Sequence, residues 1–493
     1  MNYTLKLFDN ISLQSVSVIA QSALQVLSIS ILARFLLPID FGIAAVATSI
    51  TAISTMLSEI GVGSSVVQKK TIDYKYVSTA FFTSLILFLV FSFFLYLLAP
   101  TVASFNSDQS LINVIYFIIF SFFITGISSI PKALLFRKQE YKKIMIVNLI
   151  SFFVGNLIVA GVLAVNGFGV WAILWGQLVL SILSFFLSYY FSSMKIKFVF
   201  SFSDLKHIAH FGGGITLSRI FNYIAIEGDK FVIGNTISLT ALGIFERIYK
   251  ITTLISSQIG YVFDSVLFPT FSQIQDDKNK LKRGYLKALE ITFVIGCLIS
   301  LIAPLFSYEI IWIVLGDTWL DYSEIFRMLL LLMGIRLIIR IGDSFLRSIA
   351  AVYESASIKI LAAFITLFGL FKLSTFELNG VVFIYYLSSI TVVIIIHSLI
   401  MHKLKIDFFN VLILLLKRFV VVTLLVFPIW IYVLFIQENM SIITLFVLKL
   451  IYLIILFILI FFIKPKILGN VSYEIILLTK TKLNYAKNRF SIK

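Results

Sequence analysis

The sequence predicts an all-α integral membrane protein with about fourteen transmembrane helices, two six-helix bundles in a parallel pseudo-twofold repeat plus two C-terminal helices. Three observations lead there: an apolar composition, apolar stretches of membrane-crossing length, and basic residues confined to alternate loops. Of 493 residues, 60% are hydrophobic and 13% are charged, and the mean hydropathy is +1.04. A water-soluble chain this apolar could not cover its surface, whereas lipid-facing helices need no polar cover. The 50 Phe and 21 Tyr suit lipid-facing sides and interfacial belts. A net charge of +16 raises nucleic acid as a partner. The basic residues instead sit in short clusters between apolar runs, as cytoplasmic loops do, so no nucleic acid is expected.

A crossing of ~30 Å takes about 20 residues, and the stretches are justified in chain order. The first, 11–33, carries Gln14, Gln21, Gln25 and Ser28 on roughly one face and ends at Arg34 without a small-residue cleavage site. It reads as a retained helix rather than a signal peptide. The second, 41–63, opens on Asp40-Phe41-Gly42-Ile43, and the third, 77–99, ends on Ala99-Pro100. Stretches 111–131, 144–165 and 169–192 complete the first bundle, 1–192, and a linker at 193–206 follows. The second bundle, 207–402, holds 208–227, 241–268, 288–315, 326–347, 356–374 and 379–401. The single cysteine, Cys297, lies in an apolar run, so no internal disulfide can form. Two extra stretches, 419–436 and 441–463, lie within 403–463. The tail, 464–493, alternates basic and apolar residues and suits an amphipathic segment on anionic lipid.

Orientation follows from the basic residues. Lys69, Lys70 and Lys75; Lys132, Arg137, Lys138, Lys142 and Lys143; and Lys278, Lys280, Lys282, Arg283 and Lys287 all fall on one side. Arg34, Lys230 and Lys372 fall on the other. Both termini are therefore expected in the cytoplasm. A repeat is faintly visible: Ala241-Leu242-Gly243-Ile244 opens the eighth stretch as Asp40-Phe41-Gly42-Ile43 opens the second, and Ala303-Pro304 echoes Ala99-Pro100. An even number of helices per unit makes the halves parallel.

No P-loop or dinucleotide fingerprint is present. Gly212-Gly213-Gly214 suits close helix packing or a hinge, and His207 with His210 has no partner set for a metal. Asp276-Asp277 reads as a solvated loop start. Charge inside apolar stretches is the informative feature, because an ionisable side chain at mid-bilayer is costly unless it faces a cavity or a partner. The seventh stretch carries Arg219 and ends at Glu227, Asp229 and Lys230, and the eighth opens with Glu246, Arg247 and Lys250. The tenth carries Arg327, Arg336, Arg340, Asp343 and Arg347, the last four on one face. One reading is structural pairing, as of Arg340 with Asp343, with Arg327 and Arg347 snorkelling. The other puts Arg219 and Arg336, near mid-depth, in a water-filled cavity for an anionic substrate, since planar guanidinium donors suit phosphate.

Several stretches resemble the bacterial polysaccharide flippases of the multidrug/oligosaccharidyl-lipid/polysaccharide exporter superfamily. They are Ala33-Arg34-Phe35-Leu36-Leu37-Pro38-Ile39-Asp40-Phe41-Gly42, Glu59-Ile60-Gly61-Val62-Gly63-Ser64, Leu135-Phe136-Arg137-Lys138, Gly167-Phe168-Gly169-Val170-Trp171, Leu242-Gly243-Ile244-Phe245-Glu246-Arg247 and Val266-Leu267-Phe268-Pro269-Thr270-Phe271-Ser272. The resemblance covers roughly residues 10–330. It implies two bundles around a central cationic cavity in a bacterial cytoplasmic membrane. It also implies a polyprenyl-diphosphate-linked oligosaccharide moved from the inner to the outer leaflet by alternating access. Arg219, Arg336, Arg340, Arg247, Lys250 and Arg34 become the candidate substrate-binding residues, and Glu59, Asp229 and Asp343 the candidate coupling or cavity acids. The sequence departs at Phe245-Glu246-Arg247, where relatives commonly carry a Tyr and no acid, so Glu246 would lower the local positive charge. No cofactor or metal is implied. Proton or sodium coupling is suggested by relatives, and a polysaccharide polymerase and a chain-length regulator are the implied partners. The rivals are a lipid II flippase or a drug exporter of the same superfamily, and, as a membrane enzyme, a polymerase, ligase or glycosyltransferase. Organic cations would want an acidic cavity, and such enzymes a long outer loop.

Overall fold

The computed structural model describes residues 3–458 except 60, 195, 196, 198, 374, 375 and 437–440; the side chains of 3–12, 14, 15, 56–59, 210–226, 261–263, 265, 432–436 and 457 also lie outside the description. Among the described residues every regular element is helical, as hydrocarbon demands of a chain that must satisfy each backbone group internally. In order the helices are α1 (Tyr3–Phe35), α2 (Pro38–Glu59), α3 (Val62–Gln68), α4 (Tyr74–Phe105), α5 (Ser110–Arg137), α6 (Tyr141–Phe152), α7 (Ala160–Val165), α8 (Val170–Ser192), α9 (Phe202–Thr236), α10 (Leu239–Gln273), α11 (Lys278–Ile302), α12 (Ser307–Val314), α13 (Ser323–Ser348), α14 (Val352–Leu373), α15 (Glu377–Leu404), α16 (Phe408–Ile436) and α17 (Ile442–Ile458). A π-helical turn at Phe153–Val159 joins α6 to α7, and a 3-10 turn at Ala303–Phe306 joins α11 to α12.

As far as its residues are described, each predicted stretch falls on a helical segment. Ten among the described residues are long and apolar enough to cross a membrane, fewer than the fourteen the hydropathy suggests. The seventh, eighth and tenth stretches lie on α9, α10 and α13; parts of α9 and α10 lie outside the described side chains, and α13 carries Arg327, Arg336, Arg340, Asp343 and Arg347. The fourteenth lies on α17, where the described apolar helix, Ile442–Leu456, is short. The two Ala-Pro pairs also differ: Pro100 sits inside an unbroken α4, whereas Pro304 sits in the 3-10 turn that interrupts α11 and α12. Proline removes one ladder hydrogen bond and clashes with the preceding turn, so either outcome depends on what neighbours supply.

The chain divides into two compact units. The first comprises Met1–Arg247 with Val314–Thr318 and Leu367–Leu378; the second comprises Ile248–Ile313, Trp319–Thr366 and Asn379–Lys493. In the first unit α5 packs on α4 and α8, and α9 packs on α2, α3 and α4. Val62, Val66, Tyr76, Val77, Ile130, Met194 and Ile208 form one of its buried clusters. In the second unit α11 packs on α13 and α16, around a cluster that includes Phe271, Tyr285, Phe345, Ile396 and Ile400.

The chain turns are chemically specified. Gly61, at φ 62, takes the left-handed conformation that separates α2 from α3. Asp73 caps α4 by accepting from Tyr76 N at 2.9 Å, and Asp277 caps α11 by accepting from Asn279 N and Lys280 N. Arg137 donates to the carbonyls of Val66, Val67, Lys69 and Lys70 at 2.5–3.1 Å, closing the end of α3. Lys138 donates to Ser192 O at the end of α8. The loop cations are thus spent on helix C-termini, where partial negative charge collects.

One crossing in the first unit is reciprocal. A Cβ built on Gly42 would stand 1.8 Å from Leu239 O, and one on Gly243 would stand 1.8 Å from Pro38 O. Each glycine faces the carbonyl four residues before the other, so α2 and α10 meet backbone to backbone. Residue i touching j while j's counterpart touches i's is the pattern a twofold axis generates.

Candidate functional site

The predicted basic residues separate into compensated and uncompensated cations. On α13, Arg340 pairs with Asp264 at 3.4 Å and Arg347 pairs with the same carboxylate at 3.3 Å. Asp343 holds Arg347 at 3.3 Å and Lys359 at 2.9 Å, and it also accepts from Ser355. The pairing expected between Arg340 and Asp343 is therefore replaced: Arg340 turns to α10, where Gly260 leaves room for its guanidinium. Arg327 pairs with Glu324 at 2.9 Å, one helical turn away. Asp264 carries this network, and the sequence reading did not single it out. Its signal was a carboxylate deep within the apolar stretch 241–268.

Arg336 is different. It has no carboxylate partner among the described residues, and its Nη2 is buried without a hydrogen-bond acceptor. Its guanidinium lies 4.8 Å from the centroid of the Tyr249 ring, and Tyr249 in turn packs on Tyr385 with ring centroids 5.3 Å apart. A guanidinium over an aromatic face keeps its in-plane donors free for an anion. Helices α10, α13 and α15 thus present, within the second unit, one cation with donor capacity left over. Lys250, one residue beyond Tyr249, is exposed.

The first unit has its own uncompensated cation. Arg247 stacks 3.7 Å over the Phe41 ring, and its Nε is buried without an acceptor. Glu246, expected to dilute the positive charge there, lies beside Arg247 in sequence and acts on it electrostatically; its ion pair is with Lys230 at 3.2 Å, which also holds Glu227 at 2.6 Å. Asp229 is buried and accepts from Lys230 N at 2.8 Å. Arg34 is exposed at the end of α1, its Cγ 3.2 Å from where a Cβ on Gly316 would be. The side chains of Arg219 and Glu59 lie outside the described residues, as do those of Gln14, His210 and Gly212-Gly213-Gly214.

No group of three or more His, Cys, Asp or Glu suited to a metal occurs among the described residues. Two further ion pairs escaped the sequence reading, both within the second unit. Arg418 pairs with Glu290 at 2.8 Å, and Lys449 pairs with Glu309 at 2.5 Å with both side chains 2% exposed. Ionisable residues inside apolar runs were the available signal in each case.

A profile described as "Polysaccharide biosynthesis protein" matches residues 31–324, more than half of the chain. The succinoglycan biosynthesis transport protein ExoT of Rhizobium meliloti (strain 1021) is 24% identical over 272 residues, 55% of either chain. The lipopolysaccharide biosynthesis protein WzxC of Escherichia coli (strain K12) is 23% identical over 308 residues, 62% of either chain. The teichuronic acid biosynthesis protein TuaB of Bacillus subtilis (strain 168) is 22% identical over 303 residues, 60% of this chain and 62% of that one. The chain thus spans less than two thirds of the length of these relatives. Among solved structures, the lipid II flippase MurJ in an inward closed conformation superposes with a TM-score of 0.70 at 13% identity, covering 91% of this chain and 98% of that one. An inward-facing multidrug-resistance transporter of the same superfamily superposes at 0.64 and 16% identity, covering 78% and 94%. These likenesses establish the fold. On the profile match, the chain is a multi-pass membrane protein that belongs to the polysaccharide biosynthesis protein family.

Proposed function

We propose that this protein is a flippase that moves a polyprenyl-diphosphate-linked oligosaccharide from the inner to the outer leaflet of a bacterial cytoplasmic membrane. The cargo on this reading is a repeat unit of an O-antigen, capsule or exopolysaccharide. The observation that carries it is Arg336, a half-buried cation whose buried Nη2 lacks an acceptor while its neighbours Arg340 and Arg347 are compensated by Asp264. A buried unsatisfied donor costs about 1–3 kcal/mol, and a site that tolerates the cost gains when an anion fills it. Arg247, stacked on Phe41 with a free Nε, supports the same polarity in the first unit. The reciprocal crossing at Gly42 and Gly243 supports two parallel repeats; the reading also takes fourteen crossings from the hydropathy and both termini in the cytoplasm from the loop charges.

The physical task is to carry phosphates and sugars past hydrocarbon that excludes them. A hydrophilic cavity shields the headgroup while the prenyl tail stays in lipid. Arg219 and Arg336 neutralise the diphosphate, and release requires an outward-facing state that binds it less well. A polymerase and a chain-length regulator receive the product. The test is complementation of a strain lacking its own polysaccharide flippase, with surface polysaccharide as readout. Arg219→Ala and Arg336→Ala, each expressed at the wild-type level, are expected to abolish the polymer. Normal output from both would refute the assignment of these residues, and failure of the wild type to complement would refute the function.

A further inference from the structure

Away from the arginines, the second unit holds a groove of about 370 Å³ between α11 and the start of α16. Its walls are two stripes at helical spacing: Leu286 and Leu289 on α11, and Val411, Leu414 and Leu415 on α16. The chain reverses between α15 and α16 at one end of it. Lys405 ends α15 in the left-handed conformation, at φ 52. Asp407 starts α16 by accepting from Phe409 N at 2.9 Å, and Ile406 between them lines the groove.

The polar residues of the lining are Lys282, Lys287, Glu290, Asp407 and Asn410. Both acids are engaged. Glu290 pairs with Arg418 at 2.8 Å, and Asp407 accepts from Phe409 N and, at 2.7 Å, from Asn410 Nδ2. Lys282 Nζ gives one of its three donors to Lys405 O at 3.0 Å, and Lys287 is exposed. Arg283 and Lys405, next in the chain to Lys282 and Ile406, are exposed as well. The groove therefore joins an apolar floor to a basic mouth.

Its depth is that of a membrane surface. Phe408 and Phe409 open α16 as exposed aromatic residues, the side chains that settle at headgroup level. The cluster Lys278, Lys280, Lys282, Arg283 and Lys287 marks this end of α11 as cytoplasmic on the loop-charge reading. A soluble anion would meet the lysines but leave the leucines wet, and a neutral phospholipid would cover the leucines but gain nothing from the lysines. Basic pockets between helices on the cytoplasmic side suit anionic headgroups. We infer that this groove binds an anionic phospholipid of the inner leaflet, its phosphate at Lys282 and Lys287 and an acyl chain along Leu286, Leu289, Leu414 and Leu415. The bound lipid ties α11 to the α15–α16 turn. The inference needs only the membrane setting of the chain, and its test contains no glycolipid.

Full-length protein carrying Leu414→Trp is reconstituted into phosphatidylcholine nanodiscs. Phosphatidylglycerol or phosphatidylcholine with brominated acyl chains, which quench tryptophan on contact, is then titrated in, and the signal of the protein without the new tryptophan is subtracted. A basic residue near anionic lipid is worth about fivefold in affinity, so two lysines predict a preference for phosphatidylglycerol of roughly 25-fold. Lys282→Gln with Lys287→Gln is expected to remove most of that preference at an unchanged melting temperature. Should loss of the Lys282–Lys405 contact unfold the protein, Lys287→Gln alone is expected to lower the preference about fivefold. A reporter at Leu424→Trp, exposed further along α16, is expected to be quenched equally by both lipids. Equal quenching at Leu414→Trp, an undiminished preference in the folded lysine variant, or the same preference at Leu424→Trp overturns the inference.

Discussion

Adding one methyl group at Gly42 should disturb the whole crossing of α2 with α10. The new Cβ would stand 1.8 Å from Leu239 O and 2.6 Å from Leu239 C, both backbone atoms that cannot rotate away. Real Cβ contacts hardly occur below 3.0 Å, so the helices must part by at least about 1.2 Å, the difference of those two distances. Overpacking of this kind costs about 1–3 kcal/mol, which shifts the balance between this closed crossing and an opened one by roughly 5- to 150-fold. Gly243→Ala meets Pro38 O at the same 1.8 Å, and the displacement that relieves one clash relieves the other. The double variant should therefore cost clearly less than the sum of the two single changes. Thermal unfolding of the purified variants measures the cost. Thiol labelling of a cysteine at the buried Ala241, in a Cys297→Ala background, measures the separation. Single variants with unchanged melting and labelling, or fully additive losses, would refute the reciprocal crossing.

Two further outcomes follow from the loops. Arg137→Ala leaves the carbonyls of Val66, Val67, Lys69 and Lys70 without their shared donor and should cost about 2 kcal/mol, with Arg137→Lys recovering less than half, because one ammonium cannot span the fork of a guanidinium; thermal unfolding reads both. At Asp277 the backbone N–H of Lys280, ahead of the other donors, holds the carboxyl below its usual range. A depressed folded value means that the cap contributes fully above the unfolded pKa and is lost as pH falls through the folded one. Hydrogen-exchange protection at the start of α11, taken relative to the intrinsic rate at each pH, should fall on acidification in wild type, and Asp277→Asn should remove that pH dependence; an unchanged profile in the variant would contradict the cap.

The helices were legible because hydrocarbon leaves few alternatives: a run of apolar residues of crossing length is a helix or nothing. Helix ends were less so. The thirteenth stretch was read from residue 419, yet α16 begins at Phe408, since Lys417 and Arg418 interrupted the apolar count although Arg418 is held by Glu290. The charged residues of the seventh, eighth and tenth stretches were visible, but their partners were not. Helical spacing suggested Arg340 with Asp343, because residues three apart are neighbours on one helix. The acid that compensates Arg340 lies 76 residues away on α10, and only packing brings it there. The same holds for Glu246, whose ion pair is with Lys230 on α9 while the adjacent Arg247 keeps an Nε without an acceptor. Lys449 was countable within an apolar run, but its partners, Leu305 O at the break around Pro304 and Glu309, are 144 and 140 residues away and meet it only in three dimensions.

The central claim is that a cationic site carries a diphosphate-linked oligosaccharide across the bilayer. It is tested most directly in liposomes containing the purified full-length protein and a fluorescent polyprenyl-diphosphate oligosaccharide, with a membrane-impermeant quencher reporting the leaflet. Wild type should move the lipid between leaflets, and Arg336→Ala, folded as judged by its melting temperature, should not. A wild-type protein that leaves the lipid in place, or an Arg336→Ala variant that moves it at the wild-type rate, would contradict the account.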